Sequence, residues 1–534
     1  MRGSLNVQED GMVMRNFNDK LQLAERPFMH MLAKMKNVRN ILQTNLRIVF
    51  LGILVIVGQT MSADVTVDLN TTYQTIDGFG GMQDKGWTGY NLTTAERNLL
   101  YGNGSGQIGL TIMRIRINEN QSAWSNDLVD AKDVVSRGHK VFATAWTPPT
   151  NLRVASGSSY KIDPSKYQGY VDHLNAFAKY MKDNNAPLYA LGFQNEPDWC
   201  SDWGCGTPTE MYNFAKNWGA KLRTNGNKVI SAESFSFNKN YYDPILNDSA
   251  ALASLDILGT HFYGTSKTSS DATFDYTLFK QKGNGHHFWM TEVYTAGVND
   301  ATSNTWPLCL DVAYEIHRAL ALSNMSAYNW WYLKRSYGPL YITTNSQGGS
   351  LTGTVSKVGY IMGQYSKYVR PGAVRVGATR NVQTDVYTAA FKKNDSVVVV
   401  SVNRGSSAKT VSYAISGLKS TSGNKITTSG TKSLTDDGTV SVSNGSFSTT
   451  LDAQSISTIV FTGNSTPSTS VEAMKTGAAV AGAYEIYSAS GAHIGHVTLA
   501  EGERLDAQVA KLSSRSGLYF ARAKNGLAVP VVLP

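Results

Sequence analysis

The segment LYALGFQNEP, residues 188–197, joins an apolar run typical of a buried strand to a polar end that carries Asn195 and Glu196. Amphipathic stretches typical of helices, such as 164–182, 208–224 and 307–322, alternate with runs of the same apolar kind. Eight such alternations predict a (β/α)8 TIM barrel, an α/β fold whose short strands are buried on both faces. The other seven strand candidates are residues 75–80, 110–115, 140–144, 228–232, 255–261, 287–292 and 326–332.

The sequence outside this barrel, which we assign to residues 76–370, changes in character. Residues 371–463 are rich in Ser, Thr, Val and Gly and contain alternating runs, which predict an antiparallel β-sandwich as a side domain. Residues 64–75 alternate too, and we expect them to supply the first strands of that domain. Residues 464–472 form a small polar linker. Residues 473–534 then predict a compact C-terminal β-module.

The segment 1–63 has the composition of a leader. The apolar run IVFLGILVIVG at residues 48–58 follows several Lys and Arg residues and precedes Met-Ser-Ala at 61–63. This pattern is typical of a secretory signal peptide, and the run is too short for a confident membrane span. We therefore expect a bacterial protein that is secreted or displayed at the cell surface and keeps no membrane span after processing. Because the run lies far from the first residue, we hypothesise that translation begins at Met35, Met29 or Met31.

Composition and charge exclude several classes of function. The 534 residues carry a net charge of +9 at pH 7, but the Lys and Arg residues are scattered, which argues against a nucleic-acid partner. The three cysteines are too few for a disulfide-built scaffold, although Cys200 and Cys205 could form a local disulfide after export. No Cys/His cluster has zinc spacing, so we predict no metal and no cofactor. We expect a monomer.

Two carboxylates stand at positions where barrel enzymes perform catalysis. Glu196 follows the fourth predicted strand and Glu292 ends the seventh. Catalytic groups of TIM barrels lie at the C-terminal ends of the strands, and strands four and seven lie on opposite sides of the barrel mouth. Glycoside hydrolysis needs such a pair, with one protonated acid for the leaving oxygen and one carboxylate on the anomeric carbon. The two glutamates therefore indicate a glycosidase site.

Several motifs resemble glycoside hydrolase family 30, in its bacterial glucuronoxylanase branch. The resemblance covers residues 64–462 and includes the Asn-Glu-Pro after strand four. That family carries a β-domain fused to its barrel, which agrees with the change of character after residue 370. The other motifs are IDGFGGM at 76–82, MRIRI at 113–117, WTPP at 146–149, HFYG at 261–264 and WWYLKRSYGP at 330–339.

The resemblance implies roles for individual residues. Glu196 resembles the acid/base and Glu292 the nucleophile of a retaining enzyme. Asn195 matches the position that hydrogen-bonds the sugar 2-hydroxyl. Tyr263 resembles the tyrosine that orients the nucleophile, and Arg114 an arginine that helps keep the nucleophile ionised.

The same resemblance predicts the substrate. In the glucuronoxylanase branch an Arg-x-Tyr after strand eight binds the carboxylate of a glucuronic acid side group, and here Arg335 and Tyr337 match it. Lys334 stands where arginine is common in this branch, and the loop at 295–298 has no counterpart of a serine often found there. We thus expect an endo-acting xylanase that cleaves β-1,4-xylan, with glucuronoxylan as the polysaccharide partner.

Aromatic residues near the strand ends are candidate platforms for sugar rings. Trp146, followed by Thr147 and two prolines that stiffen its loop, is one of the strongest of them. Core packing is the alternative for each of these tryptophans. The full set of aromatic substrate-binding candidates is Trp87, Trp124, Trp146, Trp331 and Tyr294.

Alternatives remain for the C-terminal module and for the activity. The module, with GLYFAR at 517–522, resembles sorting tails of exported bacterial enzymes, and a carbohydrate-binding module is the rival interpretation. Another family 30 activity, such as β-1,6-glucanase, β-glucosidase or β-xylosidase, is the runner-up. A non-catalytic polysaccharide-binding protein is a third hypothesis, against which the presence of both glutamates argues.

Overall fold

The computed structural model describes residues 63–294, 304–343, 351–464, 482–488, 492–500, 503, 505–513, 517–523 and 528–533. The predicted signal peptide, nearly all of the predicted linker and the loop at 295–298 lie outside the described residues. Among the helices described, none has the length and apolar character needed to cross a bilayer.

The strands are numbered along the chain. They are β1 (Val65–Thr75), β2 (Gly78–Met82), β3 (Ile112–Ile117), β4 (Lys140–Ala145), β5 (Arg153–Ser156), β6 (Ser159–Ile162), β7 (Ala190–Gly192), β8 (Lys228–Ile230), β9 (Ile257–His261), β10 (His287–Val293), β11 (Ala327–Tyr332), β12 (Lys334–Arg335), β13 (Leu340–Tyr341), β14 (Thr354–Val355), β15 (Val374–Ala378), β16 (Asn381–Gln383), β17 (Val386–Lys393), β18 (Ser396–Asn403), β19 (Lys409–Ser416), β20 (Ser422–Thr428), β21 (Thr435–Ser441), β22 (Ser446–Leu451), β23 (Ser455–Phe461), β24 (Gly482–Ser488), β25 (His493–Leu499), β26 (Gly517–Ala523) and β27 (Ala528–Leu533).

The α-helices are numbered in the same way. They are α1 (Lys85–Thr88), α2 (Thr94–Tyr101), α3 (Leu128–Ser136), α4 (Tyr167–Asp183), α5 (Pro208–Trp218), α6 (Asp243–Leu246), α7 (Ser249–Ala253), α8 (Asp271–Phe274), α9 (Thr277–Lys282), α10 (Leu310–Ala321), α11 (Lys357–Ser366) and α12 (Leu505–Leu512).

The predicted TIM barrel is confirmed. Eight parallel strands close in the order β10-β11-β2-β3-β4-β7-β8-β9, and each of the eight predicted runs overlaps one of them. Thr75 is a boundary correction, because it belongs to β1 and pairs with Val374 outside the barrel. Apolar side chains from seven of the eight strands, including Ile112, Phe142 and Trp289, form a cluster inside the barrel, so the barrel is a packed core.

The side domain is built on one large sheet, in the order β21-β20-β23-β18-β17-β15-β1-β19-β22, with β16 paired to β17. Most of its ladders are antiparallel as predicted, but β1 runs parallel to β19, so the sheet is mixed. Its own core packs residues of β1 such as Val65 and Val67 against Val399 and Tyr413. Residues 64–75, although they precede the barrel, therefore belong to the side domain.

The C-terminal module has a four-stranded antiparallel sheet, in the order β25-β24-β26-β27, and one helix, α12. Leu505 and Val509 of the helix pack with Tyr484 and Ile486 of the sheet in a small separate core. The four strands agree with the predicted β-module. The helix was not predicted, because its eight residues are too few to reveal a helical period.

Close approach of β2 to β3 gives a test of the barrel. A Cβ atom on Gly80 would lie 2.1 Å from the carbonyl oxygen of Ile112, which is backbone and cannot rotate away. We expect Gly80→Ala to lower the free energy of unfolding by about 3 kcal/mol, at the upper end for overpacking. Urea denaturation measures it. Gly104→Ala is the control, because its new Cβ would meet only the flexible end of Gln107 at 3.0 Å. Equal stability of the two variants would contradict this view of the packing.

Candidate active site

The barrel mouth brings Glu196 and Glu292 together. Glu196 follows β7 and Glu292 lies within β10, and only 3% and 4% of their respective surfaces are exposed. A carboxylate oxygen of each lies within 4.8 Å of the other and of a ring nitrogen of His261. The two predicted carboxylates thus face each other across a short gap.

The backbone at Glu196 is held in an unusual conformation. Its φ of +40° lies in the left-handed region, which costs a non-glycine residue about 1–3 kcal/mol. The peptide N–H of Glu196 donates to the carbonyl of Glu233 at 2.8 Å, and Asn195 bridges to Glu233 as an isolated β-pair. These contacts hold the strained residue and aim its side chain into the mouth.

Arg114 organises the opposite carboxylate. Its guanidinium donates through Nη1 to Glu292 and through Nη2 to Asn195 Oδ1 at 2.7 Å and to Glu233 Oε2 at 2.9 Å. The second oxygen of Glu292 accepts from the Tyr263 hydroxyl at 2.8 Å. Both oxygens of Glu292 are therefore hydrogen-bonded by donors that favour a negative charge.

Two residues of this network, Glu233 and His261, were missed from the sequence. Each stands at the end of a predicted strand, the same signal that identified the two glutamates. Glu233 is fully buried and accepts from Thr144 at 2.5 Å. The ring of His261 bonds Glu196 through Nδ1 at 2.8 Å and lies 3.4 Å from Glu233 through Nε2. His261 thereby connects Glu233 with Glu196.

The network sets different protonation states for its carboxyl groups. Burial, followed by the negative charge of Glu292, raises the pKa of Glu196 to about 7. Burial alone would also raise the pKa of Glu233, but Arg114 and His261 outweigh burial and hold it below its usual value. Glu196 is consequently the carboxyl that holds a proton near neutral pH, as an acid catalyst requires.

His261 carries a positive charge near neutral pH. Burial alone would lower its pKa, but the surrounding carboxyls Glu292, Glu196 and Glu233 raise it to about 9. The atoms of Glu196, His261 and Glu292 are close enough to surround a cation. An imidazolium has no free lone pair for a metal, however, and Arg114 already neutralises Glu292. The chemistry of this donor set therefore favours proton transfer over metal binding.

Three of the predicted tryptophans form one aromatic wall beside the glutamates. The ring centroid of Trp87 lies 5.4 Å from that of Trp146 and 6.0 Å from that of Trp331. The Arg114 guanidinium lies 4.4 Å from the ring centroid of Trp146, and only 2% of the Trp146 surface is exposed. The interpretation of Trp146 as a sugar platform is therefore corrected to a packing role beside the partly exposed Trp87 and Trp331. Tyr294 and Tyr337 join the same apolar cluster, with centroids 4.5 Å apart.

Trp124 does not join this wall. Its ring packs edge-on against Phe177 of α4 at 5.3 Å, and its Nε1 donates to the carbonyl of Asn118. With 7% of its surface exposed, Trp124 has a packing role between strand and helix. Its interpretation as a sugar platform is corrected, because proximity to a strand end did not reveal which way the ring turns.

Asn195 and the rim residues complete the mouth. Asn195 Nδ2 is buried and has no hydrogen-bond partner among the described residues, so it can donate to a bound hydroxyl. The guanidinium of Arg335 lies 4.5 Å from the ring centroid of Tyr332. Lys334, one residue earlier, is buried and pairs with the buried Glu96 at 2.8 Å. Lys334 thus stabilises the rim segment through a buried ion pair, whereas Arg335 is a half-exposed cation at the rim.

The disulfide that the sequence left open between Cys200 and Cys205 is not formed in the structure. Cys200, Cys205 and Cys309 are free thiols in the structure. Cys200 bonds the carbonyl of Pro197 at 3.6 Å, and Cys205 bonds the hydroxyl of Ser156 at 3.4 Å. The two thiols thus contact neighbouring loop residues and, through a hydrogen bond, each other.

Comparison with known proteins relates three quarters of the chain to one group of enzymes. The glucuronoxylanase XynC of Bacillus subtilis (strain 168) is 39% identical over 404 residues, which are 75% of this chain and 92% of that protein. A GH30 endoxylanase from Clostridium papyrosolvens C71 is 37% identical with a TM-score of 0.67, covering 75% of this chain and 100% of that one. A GH30 subfamily 8 xylanase from Clostridium acetobutylicum is 34% identical with a TM-score of 0.65, covering 75% and 99%. No protein-family model matches the chain.

The charge of Glu233 can be tested through His261. We expect Glu233→Gln to lower the pKa of His261 from about 9, because a neutral amide no longer favours the imidazolium. NMR titration of the ring protons measures this value, with His261→Asn to assign the signal. In the wild type, the stabilisation from this proton is full below about pH 6.5 and is lost as pH rises through about 9.

Thr144→Val is the control for that substitution, because it removes a hydrogen bond to Glu233 and leaves the charge in place. We expect a smaller fall in the pKa of His261. An unchanged pKa in Glu233→Gln would mean that the other carboxyls alone hold the proton.

Proposed function

Because the chain belongs to glycoside hydrolase family 30, we propose that it is a secreted endo-β-1,4-xylanase that hydrolyses glucuronoxylan with retention of configuration. The observation that carries the mechanism is the short gap between Glu196 and Glu292. Retaining glycosidases hold their two carboxyl groups about 5–5.5 Å apart, whereas inverting ones need about 6.5–9.5 Å for a water molecule. Oxygens within 4.8 Å support retention.

In the first step, Glu292 attacks the anomeric carbon and Glu196 gives its proton to the leaving oxygen. Tyr263 and Arg114 hold both oxygens of Glu292, so one of them must loosen its bond as the new C–O bond forms. The free N–H of Asn195 can strengthen its bond to the sugar 2-hydroxyl as positive charge develops on the ring.

In the second step, Glu196 changes from acid to base. The negative charge of Glu292 is one cause of the raised pKa of Glu196, and the covalent glycosyl ester removes that charge. Arg114 and the protonated His261 then face a less negative site and lower the pKa of Glu196. Glu196 can therefore deprotonate the water that releases the sugar, which restores both groups.

Recognition of glucuronate is proposed for Arg335 and Tyr337. A guanidinium pairs with a carboxylate through two parallel hydrogen bonds, and a phenol can add a third. The rings of Trp87 and Trp331 are partly exposed, lie in the same cluster as Tyr337 and offer flat faces to sugar rings, while the buried Trp146 packs against both of them. The similarity to a glucuronoxylanase supports this choice over other activities of the family.

Export is a further part of the proposal. It depends on the apolar run at 48–58 and the small residues at 61–63, which are typical of a signal peptide. A polysaccharide substrate that cannot enter a cell agrees with an enzyme that acts outside it. Sequencing of the mature N-terminus tests this export. The proposal also includes a monomeric state, which light scattering measures.

Product analysis tests the substrate. We expect glucuronoxylan to yield oligosaccharides that each carry one glucuronate, while arabinoxylan and β-1,6-glucan stay nearly intact. Arg335→Gln should lower kcat/KM on glucuronoxylan about tenfold to 100-fold, because a charge-assisted pair contributes about 1.5–3 kcal/mol. Arg137→Gln, which loses contacts with Asp133 and Asn98 away from the mouth, is the control. Equal cleavage of both xylans by the wild type would leave Arg335 as a structural rim residue.

Kinetics and stereochemistry test the two glutamates. We expect Glu196→Gln to lower kcat/KM on glucuronoxylan by about 10²–10⁴-fold through loss of the general acid. Wild-type kcat/KM should fall as pH rises above about 7, because Glu196 must hold its proton. Proton NMR of fresh products should detect the β-anomer first. First appearance of the α-anomer would exclude the double displacement.

A further inference from the structure

A second polar cavity lies between the barrel and the side domain. It has a volume of about 290 Å³, at the lower end for a ligand pocket. Tyr73 leads into β2, and Ala321 and Asn324 lead into β11, so the cavity lies where barrel strands begin. The catalytic mouth lies where the strands end. The two sites are therefore at opposite ends of the barrel.

The wall of this cavity is positively charged. Lys280, Arg375 and Arg380 line it, and its described lining residues include no carboxylate. Asp275 pairs with Lys280 and Asp271 with Arg380, which leaves Arg375 without an acidic partner among the described residues. A wall with more cations than paired anions attracts a negatively charged ligand.

Arg375 is the central feature of that wall. Only 8% of its surface is exposed, and its bonds go to neutral groups, from Nε to Gln74 at 2.9 Å and from Nη2 to Asn324 at 2.7 Å. Its Nη1 has no hydrogen-bond partner among the described residues. Nη1 of Arg380 also lacks a partner, and that atom is buried. Burial of a guanidinium without an anion is costly, and it lowers the pKa of Arg375 to about 10.

Tyr73 gives the cavity an aromatic face. The Arg375 guanidinium lies 3.9 Å from its ring centroid, and 46% of the Tyr73 surface is exposed. An exposed ring offers its face to the C–H groups of a sugar, while a guanidinium with a free N–H offers a bond to a carboxylate. Together these groups match a sugar ring that carries an acid.

We propose that this cavity, lined by Tyr73, Lys280, Asn324, Arg375 and Arg380, is a second saccharide site that binds one uronic acid residue of an acidic polysaccharide. Its volume suits a single sugar residue rather than a chain. A chain held there would keep the enzyme on the polymer while the mouth at the other end of the barrel is free. The proposed function enters only in the choice of polymer, since none of the catalytic residues lines this cavity.

Calorimetric titration with D-glucuronate tests the site, using the Glu292→Gln/Arg335→Gln double variant to disable catalysis and the rim arginine. We expect one site with a dissociation constant on the order of 1 mM. Adding Arg375→Gln should weaken binding about tenfold or more, because a charge-assisted bond is lost. Arg404→Gln is the matched control, since Arg404 contacts the ring of Tyr314 in the same way but has Asp311 as a carboxylate partner at 2.8 Å. It should leave binding unchanged.

Two further ligands identify what the cavity recognises. D-glucose should bind at least tenfold more weakly than D-glucuronate, because it lacks the carboxylate. Sulfate should compete only weakly with D-glucuronate, because it cannot stack on the ring of Tyr73. If sulfate binds and D-glucuronate does not, or if D-glucose binds equally, the proposal is overturned.

Tyr73→Ala is a second variant, which tests the site even if Arg375→Gln does not fold. It removes an exposed ring and should weaken D-glucuronate binding while leaving sulfate binding unchanged. No binding in the double variant, or equal losses in Arg375→Gln and Arg404→Gln, would refute the site. Hydrolysis of soluble glucuronoxylan by Arg375→Gln should equal that of the wild type, so failure of this site and failure of the proposed activity are separate results.

Discussion

The buried guanidinium of Arg114 is the interaction on which the catalytic mouth depends. It is fully buried and contacts Glu292, Asn195 and Glu233, which come from three different segments of the barrel. Breaking a buried pair by removing one partner leaves an uncompensated charge, which costs about 3–5 kcal/mol. The geometry of the mouth therefore depends on one buried cation, for which the surrounding segments together supply the hydrogen-bond acceptors and the negative charges.

The balance of charge around Arg114 gives the two glutamates their different states. Arg114 and the protonated His261 supply two positive charges, and Glu233 and Glu292 supply two negative ones. A third negative charge on Glu196 would unbalance the buried site, which agrees with its pKa of about 7. Glu233 does not lie between Glu196 and Glu292, but it influences their site because its negative charge helps to hold the proton on His261. In such a coupled site each protonation state belongs to the group of residues as a whole.

The rim of the mouth differs from its buried floor in the kinds of side chain that form it. Aromatic rings and half-exposed cations line it, and these groups can meet a sugar chain without a large cost of desolvation. Lys334 illustrates the difference, because its ammonium is buried against Glu96 and serves the scaffold. Its neighbour Arg335 stays half-exposed at the rim. The same combination of a ring and a guanidinium recurs at Tyr73 and Arg375, where the side domain packs against the barrel.

The sequence alone determined the barrel, because eight apolar runs separated by amphipathic stretches leave few other ways to bury the strands. It also located Glu196 and Glu292, since catalytic groups of such barrels stand where strands end. Only the tertiary structure decided that Glu233 and His261 join them and that Trp124 turns away into packing. Only the structure, too, showed that Lys334 is buried whereas Arg335 is half-exposed, and that Cys200 and Cys205 are free thiols. The physical reason is that strand periodicity is a local property of the chain. Charge balance, ring orientation and the meeting of Tyr73 with Arg375 depend on residues brought together by folding, which no stretch of sequence contains.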